Sequence, residues 1–138
     1  MPYTILLADD DDAVRKSHVY ALEAASASLG DTYTIVESDN SVDAWAKIRK
    51  DRFDLIVLDN DFKDGHLKGR LPGIALLQLA RKEGANTATP IVFCSAETFA
   101  TLKPMVEKFS CVHLPKAGYD IDEAARVFAE QLKSKGKK

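Results

Sequence analysis

Two cysteines in 138 residues are too few for a disulfide framework. Neither belongs to a C-x-x-C pair, and His18, His66 and His113 lie too far apart in sequence to suggest zinc. Cys94 and Cys111 fall inside apolar runs, which predicts buried, reduced thiols. Long hydrophobic runs are missing too. None approaches the roughly 20 residues of a membrane-spanning helix, and Asp9 to Asp12 interrupt the only N-terminal apolar stretch that could serve as a signal peptide. There is no excess charge of one sign: the net charge of −2 gives no electrostatic reason to expect nucleic acid. Repeats, low-complexity tracts and interdomain linkers are absent. These exclusions leave a cytoplasmic protein, with residues 1–138 forming one domain whose core spans about 3–133. The segment Lys133 to Lys138 has four lysines and no acid, and is expected to be a frayed, solvated end.

What is present is an alternation of short apolar runs with amphipathic stretches. Strands are expected at about 3–8, 33–37, 53–58, 91–94 and 111–114. Helices are expected at about 12–29, 41–51, 73–83, 97–108 and 120–134. Gly30 and Gly84 close the first and third helices, Ser41 is placed to cap the second, and Ile121, Ala124, Phe128 and Leu132 form the inward stripe of the fifth. Four of the strands are almost continuously apolar, as in strands covered on both faces. Strand–helix alternation implies an α/β chain with a parallel sheet and right-handed crossovers. One irregular stretch, Asn60 to Pro72, is long and polar for a compact domain.

Four of the apolar runs end on chemistry-bearing residues. Tyr3 to Ala8 leads into Asp9 and Asp10, Phe53 to Leu58 into Asp59, Ile91 to Cys94 into Ser95, and Cys111 to Pro115 into Lys116. Ligands of open parallel sheets bind outside the carboxyl ends of the strands. Three carboxylates, a hydroxyl and an ammonium should therefore meet at one edge, a set suited to a divalent cation and a phosphoryl group. Asp11 or Asp12 is better explained as a cap of the first helix. Ser95 could also cap the fourth helix, and Lys116 could be a surface lysine.

The segments Ile5-Leu-Leu-Ala-Asp9-Asp10-Asp11, Asp54-Leu-Ile-Val-Leu-Asp59, Pro90-Ile-Val-Phe-Cys-Ser95-Ala96 and His113-Leu-Pro-Lys116, in this order, resemble the receiver domain of two-component response regulators. The resemblance runs from about residue 3 to 133. It implies a flavodoxin-like (βα)5 three-layer sandwich with a five-stranded sheet of order 2-1-3-4-5. It also implies a stand-alone phosphoacceptor rather than an enzyme, phosphorylated on Asp59 by a histidine kinase or histidine phosphotransfer protein with Mg²⁺ as cofactor. By that resemblance, Asp10, Asp59 and the backbone carbonyl of Asp61 would ligate the metal, with Asp9 acting indirectly. Ser95, Lys116 and the backbone of Ala96 would bind the phosphoryl group, Ser95 and His113 would form the switch, and Asp61 and Glu97 would modulate phosphoryl lifetime. Output would pass through protein contacts on the face of helix 4, strand 5 and helix 5, including Lys103, His113, Tyr119 and Arg126, from a monomer or weak dimer.

The chain departs from the family pattern in four places. The Asn60 to Pro72 loop is longer than usual, Ala117 stands where a proline commonly follows the lysine, His113 replaces the switch aromatic, and Asp61 and Glu97 add acids beside the pocket. A non-proline cis peptide costs about 3 kcal/mol, so the Lys116–Ala117 bond is expected to be trans. Two other functions are compatible with parts of the pattern. One is a receiver-fold interaction module that signals without phosphorylation. The other is a haloacid-dehalogenase-like phosphatase, suggested by Asp59-Asn-Asp61. In that family, however, the Asp-x-Asp strand precedes the acid pair, whereas here the pair comes first.

Overall fold

The computed structural model describes residues 3–30, 32–59, 73–95, 99–115 and 120–135, apart from the side chains at 99–102 and 134–135. Strands and helices alternate: β1 (Tyr3–Ala8), α1 (Asp12–Leu29), β2 (Tyr33–Ser38), α2 (Ser41–Lys50), β3 (Leu55–Asp59), α3 (Gly73–Lys82), β4 (Ile91–Ser95), α4 (Phe99–Phe109), β5 (Val112–Pro115) and α5 (Ile121–Lys135). Every strand pairing is parallel, and the order across the sheet is β2-β1-β3-β4-β5. The parallel sheet is what the strand–helix alternation predicts, and the strand order is the flavodoxin-like one that the resemblance to receiver domains implies.

Successive strand residues point to opposite faces, so each apolar strand feeds two cores. Leu6, Ala8, Ile56, Leu58, Ile91 and Phe93 cluster with Ala44 and Ile48 of α2 and with Leu76, Leu77 and Ala80 of α3; Met105, Val106 and Phe109 of α4 pack against that cluster. Ile5, Leu7, Leu55, Val57, Val92 and Cys94 cluster with Ala21, Leu22 and Ala25 of α1 and with Ala124, Phe128 and Leu132 of α5. A slip of one residue in any central strand would exchange its two side-chain sets between these cores. Burial on both faces therefore fixes the register, and the register fixes where each strand ends.

Three local expectations need correction. β3 begins at Leu55 and not at Phe53, because side chains already hold the Phe53 backbone. Its N–H donates to Asn86 Oδ1 (2.9 Å), and its carbonyl accepts from the Thr89 hydroxyl (3.2 Å). The cap of α2 is Asn40, whose Oδ1 accepts from the Asp43 N–H (2.8 Å); Ser41 is the first helical residue and is buried. Ile121 is 39% exposed, since the first turn of α5 precedes the stripe that meets the sheet, which begins at Ala124. The two helix-closing glycines are as expected. Gly30 adopts the left-handed conformation (φ 71°), and Gly84 does so (φ 94°) where a Cβ would lie 3.0 Å from the Arg49 Cα. Cys94 and Cys111 are free and buried.

The amino-terminal edge of the sheet is held by two polar side chains. Asn86, fully buried, accepts from Phe53 N–H and the Thr89 hydroxyl (2.8 Å), and donates to the carbonyls of Ile48 (2.6 Å) and Asp51 (2.7 Å). It thus ties the end of α2 and the approach to β3 to the α3–β4 loop. Arg81 donates to the carbonyls of Phe109 (2.7 Å), Thr89 (2.7 Å) and Ser110 (3.0 Å), fastening the end of α4 to the same loop. Each buried polar group left without a partner costs about 1–3 kcal/mol. Replacing Asn86 with Ala orphans several at once, so Asn86→Ala should lower unfolding free energy by roughly 3–5 kcal/mol in urea titration. A loss below about 1 kcal/mol would mean that this network is not the anchor described here.

Candidate functional site

Asp59 is the last residue of β3, and Asp9 follows the last residue of β1. The β1–β3 register pairs Ala8 with Leu58, so the next rung sets Asp9 beside Asp59. Both side chains are buried, at 1% exposure, and Asp10 is half-buried. One carboxylate oxygen from each of Asp9, Asp10 and Asp59 lies within 4.8 Å of the others. Among the described residues, no other three His, Cys, Asp or Glu side chains converge in this way.

The acidic run divides into separate tasks. Asp9 Oδ1 accepts from the Asp11 N–H (2.9 Å), and the Asp9 N–H donates to the Ser38 carbonyl (3.0 Å), so the loop is tied to itself and to β2. Asp11 is the α1 cap, accepting from the N–H groups of Ala13 (2.9 Å) and Val14 (3.2 Å). Asp12 is in the first helical turn, a favourable place for an acid. Only Asp9 and Asp10 turn toward Asp59.

At 4.8 Å, two unit negative charges repel by about 3.5 kcal/mol at an effective dielectric constant of about 20. Three such groups, two of them buried, call for a compensating cation. The donor set consists of hard anionic oxygens with no sulfur or imidazole, the set that suits Mg²⁺ better than a transition metal. The residues present therefore fit a magnesium ion.

Ser95 ends β4 and is fully buried. The β3–β4 register pairs Asp59 with Cys94, so Ser95 stands one residue beyond Asp59 on the adjacent strand. Across β5 it pairs with Pro115, the residue before Lys116. His113 pairs with Phe93, two rungs back from that edge, and is half-buried. Burial pushes the His113 imidazole below its ordinary pKa, while a hydrogen bond with the Ser95 backbone pulls the other way. Cys94, just before Ser95, has its Sγ 3.7 Å from Nε2 of buried His18, which meets Phe128 edge-on. Lys116, Asp61, Ala96, Glu97, Ala117, Tyr119 and the Asn60 to Pro72 loop lie outside the described residues. On the expected output face, Lys103 is exposed, and Arg126 is exposed and paired with Glu123 (2.8 Å).

Sequence reasoning overlooked Arg15 and Glu37, and it placed His18 on the inward face of the first helix without foreseeing its contact with Cys94. Arg15 follows Asp12 at helical spacing and could have been read as its partner. Glu37 and His18 join their neighbours only through sheet register and helix packing.

The sequence matches no protein-family model and no curated protein. Its fold, by contrast, matches many solved structures. A CheY-like response regulator receiver domain protein from Methanospirillum hungatei JF-1 is 20% identical with a TM-score of 0.75, over 99% of this chain and 98% of that one. The receiver domain of Francisella response regulator 1452 is 26% identical with a TM-score of 0.73, over 96% and 98%. The BeF3-activated DrrB receiver domain is 13% identical with a TM-score of 0.68, over the full length of both chains. The chain therefore has the receiver fold of two-component response regulators over nearly its whole length. No helix among the described residues is long and apolar enough to cross a membrane.

The depressed His113 pKa has a definite sign. Below about pH 6.5 the unfolded imidazole binds more protons than the folded one. Its contribution is fully present above that pH and is lost as pH falls through the lower folded value. The contribution of His113 to unfolding free energy should therefore fall as pH drops below about 6.5. His113→Phe should flatten that part of the profile, and an unchanged slope in the variant would place the titration elsewhere.

Proposed function

We propose that this receiver-fold chain is a phosphoacceptor of a two-component phosphorelay, phosphorylated on Asp59 and acting by protein contact. The observation that carries the reading is the convergence of Asp9, Asp10 and Asp59 at the carboxyl edge of the sheet, with Asp59 ending the central strand. The donor would be the phosphohistidine of a kinase or phosphotransfer protein in the cytoplasm.

An Asp59 carboxylate oxygen attacks phosphorus, forming a P–O bond as the P–N bond to the donor imidazole breaks, and the departing imidazole takes up a proton. Attack of one anion on another demands charge compensation and placement more than covalent help. Asp10 and Asp59 would hold Mg²⁺, with the Asp61 carbonyl as a further ligand and Asp9 acting indirectly. When bound, the ion neutralises charge on the phosphoryl oxygens. The Ser95 hydroxyl and the Ala96 N–H would donate to those oxygens, and Lys116 would pair with them. Ser95, drawn toward the phosphoryl group, is coupled through its backbone to His113. That gives the half-buried imidazole of β5 a route to the surface formed with α4 and α5. Asp61 and Glu97 would tune hydrolysis of the acyl phosphate. The protein is thus a switch that catalyses at most its own phosphorylation and dephosphorylation.

Incubation with a small phosphodonor and Mg²⁺ should add one phosphoryl group by intact mass, and Asp59→Asn should remove the addition while leaving the circular dichroism spectrum unchanged. Labelling retained in Asp59→Asn would sink the site assignment. Absence of both labelling and a Mg²⁺-dependent response to beryllofluoride would favour a module that signals without phosphorylation.

A further inference from the structure

We infer that Arg15 is a positioning residue for the cation site: it fixes the peptide that joins Asp9 to Asp10 and so sets the geometry in which the two carboxylates are presented. The inference rests on the reading of Asp9, Asp10 and Asp59 as a magnesium site.

Arg15 lies in the first turn of α1, and its side chain is only 15% exposed. Its Nη1 donates to the Asp9 carbonyl at 2.7 Å, Nη2 pairs with the Asp12 carboxylate, and Nε donates to Glu37 Oε1 at 3.1 Å. Glu37 is on β2, next to Ser38, whose carbonyl accepts the Asp9 N–H at 3.0 Å. The main chain of Asp9 is therefore gripped on both sides, its N–H by β2 and its carbonyl by a guanidinium anchored to β2. A peptide unit is planar, so holding the Asp9 carbonyl orients the Asp10 N–H and the start of the Asp10 backbone. The Asp11 N–H to Asp9 Oδ1 bond closes the same loop from inside.

Two simpler roles make different predictions. The first is that Arg15 forms surface ion pairs and nothing else. Its partners Asp12 and Glu37 are 81% and 52% exposed, and pairs of that kind contribute little. That role does not account for the short bond to a backbone carbonyl behind the site. The second is that Arg15 supplies a positive charge to the carboxylates. A fixed positive charge there would oppose binding of a second cation, so its removal should tighten Mg²⁺ binding. Positioning predicts the reverse. It also depends on the planar fork, which reaches three acceptors in fixed directions and which the single ammonium of lysine cannot reproduce.

The test is calorimetric titration of the intact chain with MgCl2, together with urea unfolding in EDTA and in saturating MgCl2. Groups that hold metal ligands in place are worth about 10- to 100-fold in affinity. Arg15→Lys, which keeps the charge, should therefore weaken Mg²⁺ binding by about tenfold. Arg15→Met should also weaken it, and Glu37→Ala should do so to a smaller extent. Affinity unchanged in Arg15→Lys, or tightened in Arg15→Met, would overturn the inference while leaving the cation site standing. Equal loss of stability in EDTA and in MgCl2, with unchanged affinity, would overturn it in favour of a purely structural role. Absence of saturable Mg²⁺ binding by the unsubstituted chain would defeat the reading of the site itself, and the inference with it.

Discussion

The apolar lock between β1 and β3 is the constraint on which the rest of the structure depends, because it holds Asp9, Asp10 and Asp59 together against their mutual repulsion. Nothing in folding alone favours three carboxylate oxygens within 4.8 Å of one another. They are held there because β1 and β3 are locked side by side by apolar side chains on both faces, and the strand ends follow wherever that register puts them. Hydrophobic burial at about 25 cal/mol per Å² supplies enough free energy across two cores to impose an arrangement that costs a few kcal/mol at one edge.

The opposite edge has the reverse character. There Asn86 and Arg81 satisfy backbone groups at the ends of α2 and α4, and Phe53 is held by side chains before β3 begins. Charge is concentrated where the strands finish, and hydrogen bonds are completed where they start. Such a division lets the carboxyl edge carry unfavourable electrostatics without loosening the frame. The two edges are connected through strands with little freedom to slide, so Asp59, Ser95 and His113 keep fixed relative heights on β3, β4 and β5.

Much of this was legible in the sequence because the signals were local and physical. Continuous apolar runs marked the buried strands, alternation with helices marked the parallel sheet, and polar residues at the run ends marked the edge. What escaped was whatever depends on distant partners. Phe53 is apolar enough for β3, but its backbone is taken by Asn86 and Thr89, more than 30 residues away. Ser41 and Asn40 are both good caps, and only the extended backbone of Asn40 decides between them. Ile121 has the right helical spacing but lies before the turn that meets the sheet. The link from Glu37 through Arg15 to Asp9 crosses from β2 to α1 to the β1 end, and no spacing rule encodes it.

The central claim is that the carboxylate cluster is destabilising by itself and is kept for the cation and phosphoryl group proposed for it. Urea unfolding of the wild-type chain and Asp59→Asn, each with and without Mg²⁺, tests it most directly. In EDTA, Asp59→Asn should be the more stable protein, because one charge of the cluster is gone. Mg²⁺ at about a hundred times its dissociation constant should stabilise the wild type by about 2.7 kcal/mol and the variant far less. A variant less stable than wild type in EDTA, together with equal responses of both to Mg²⁺, would contradict the account.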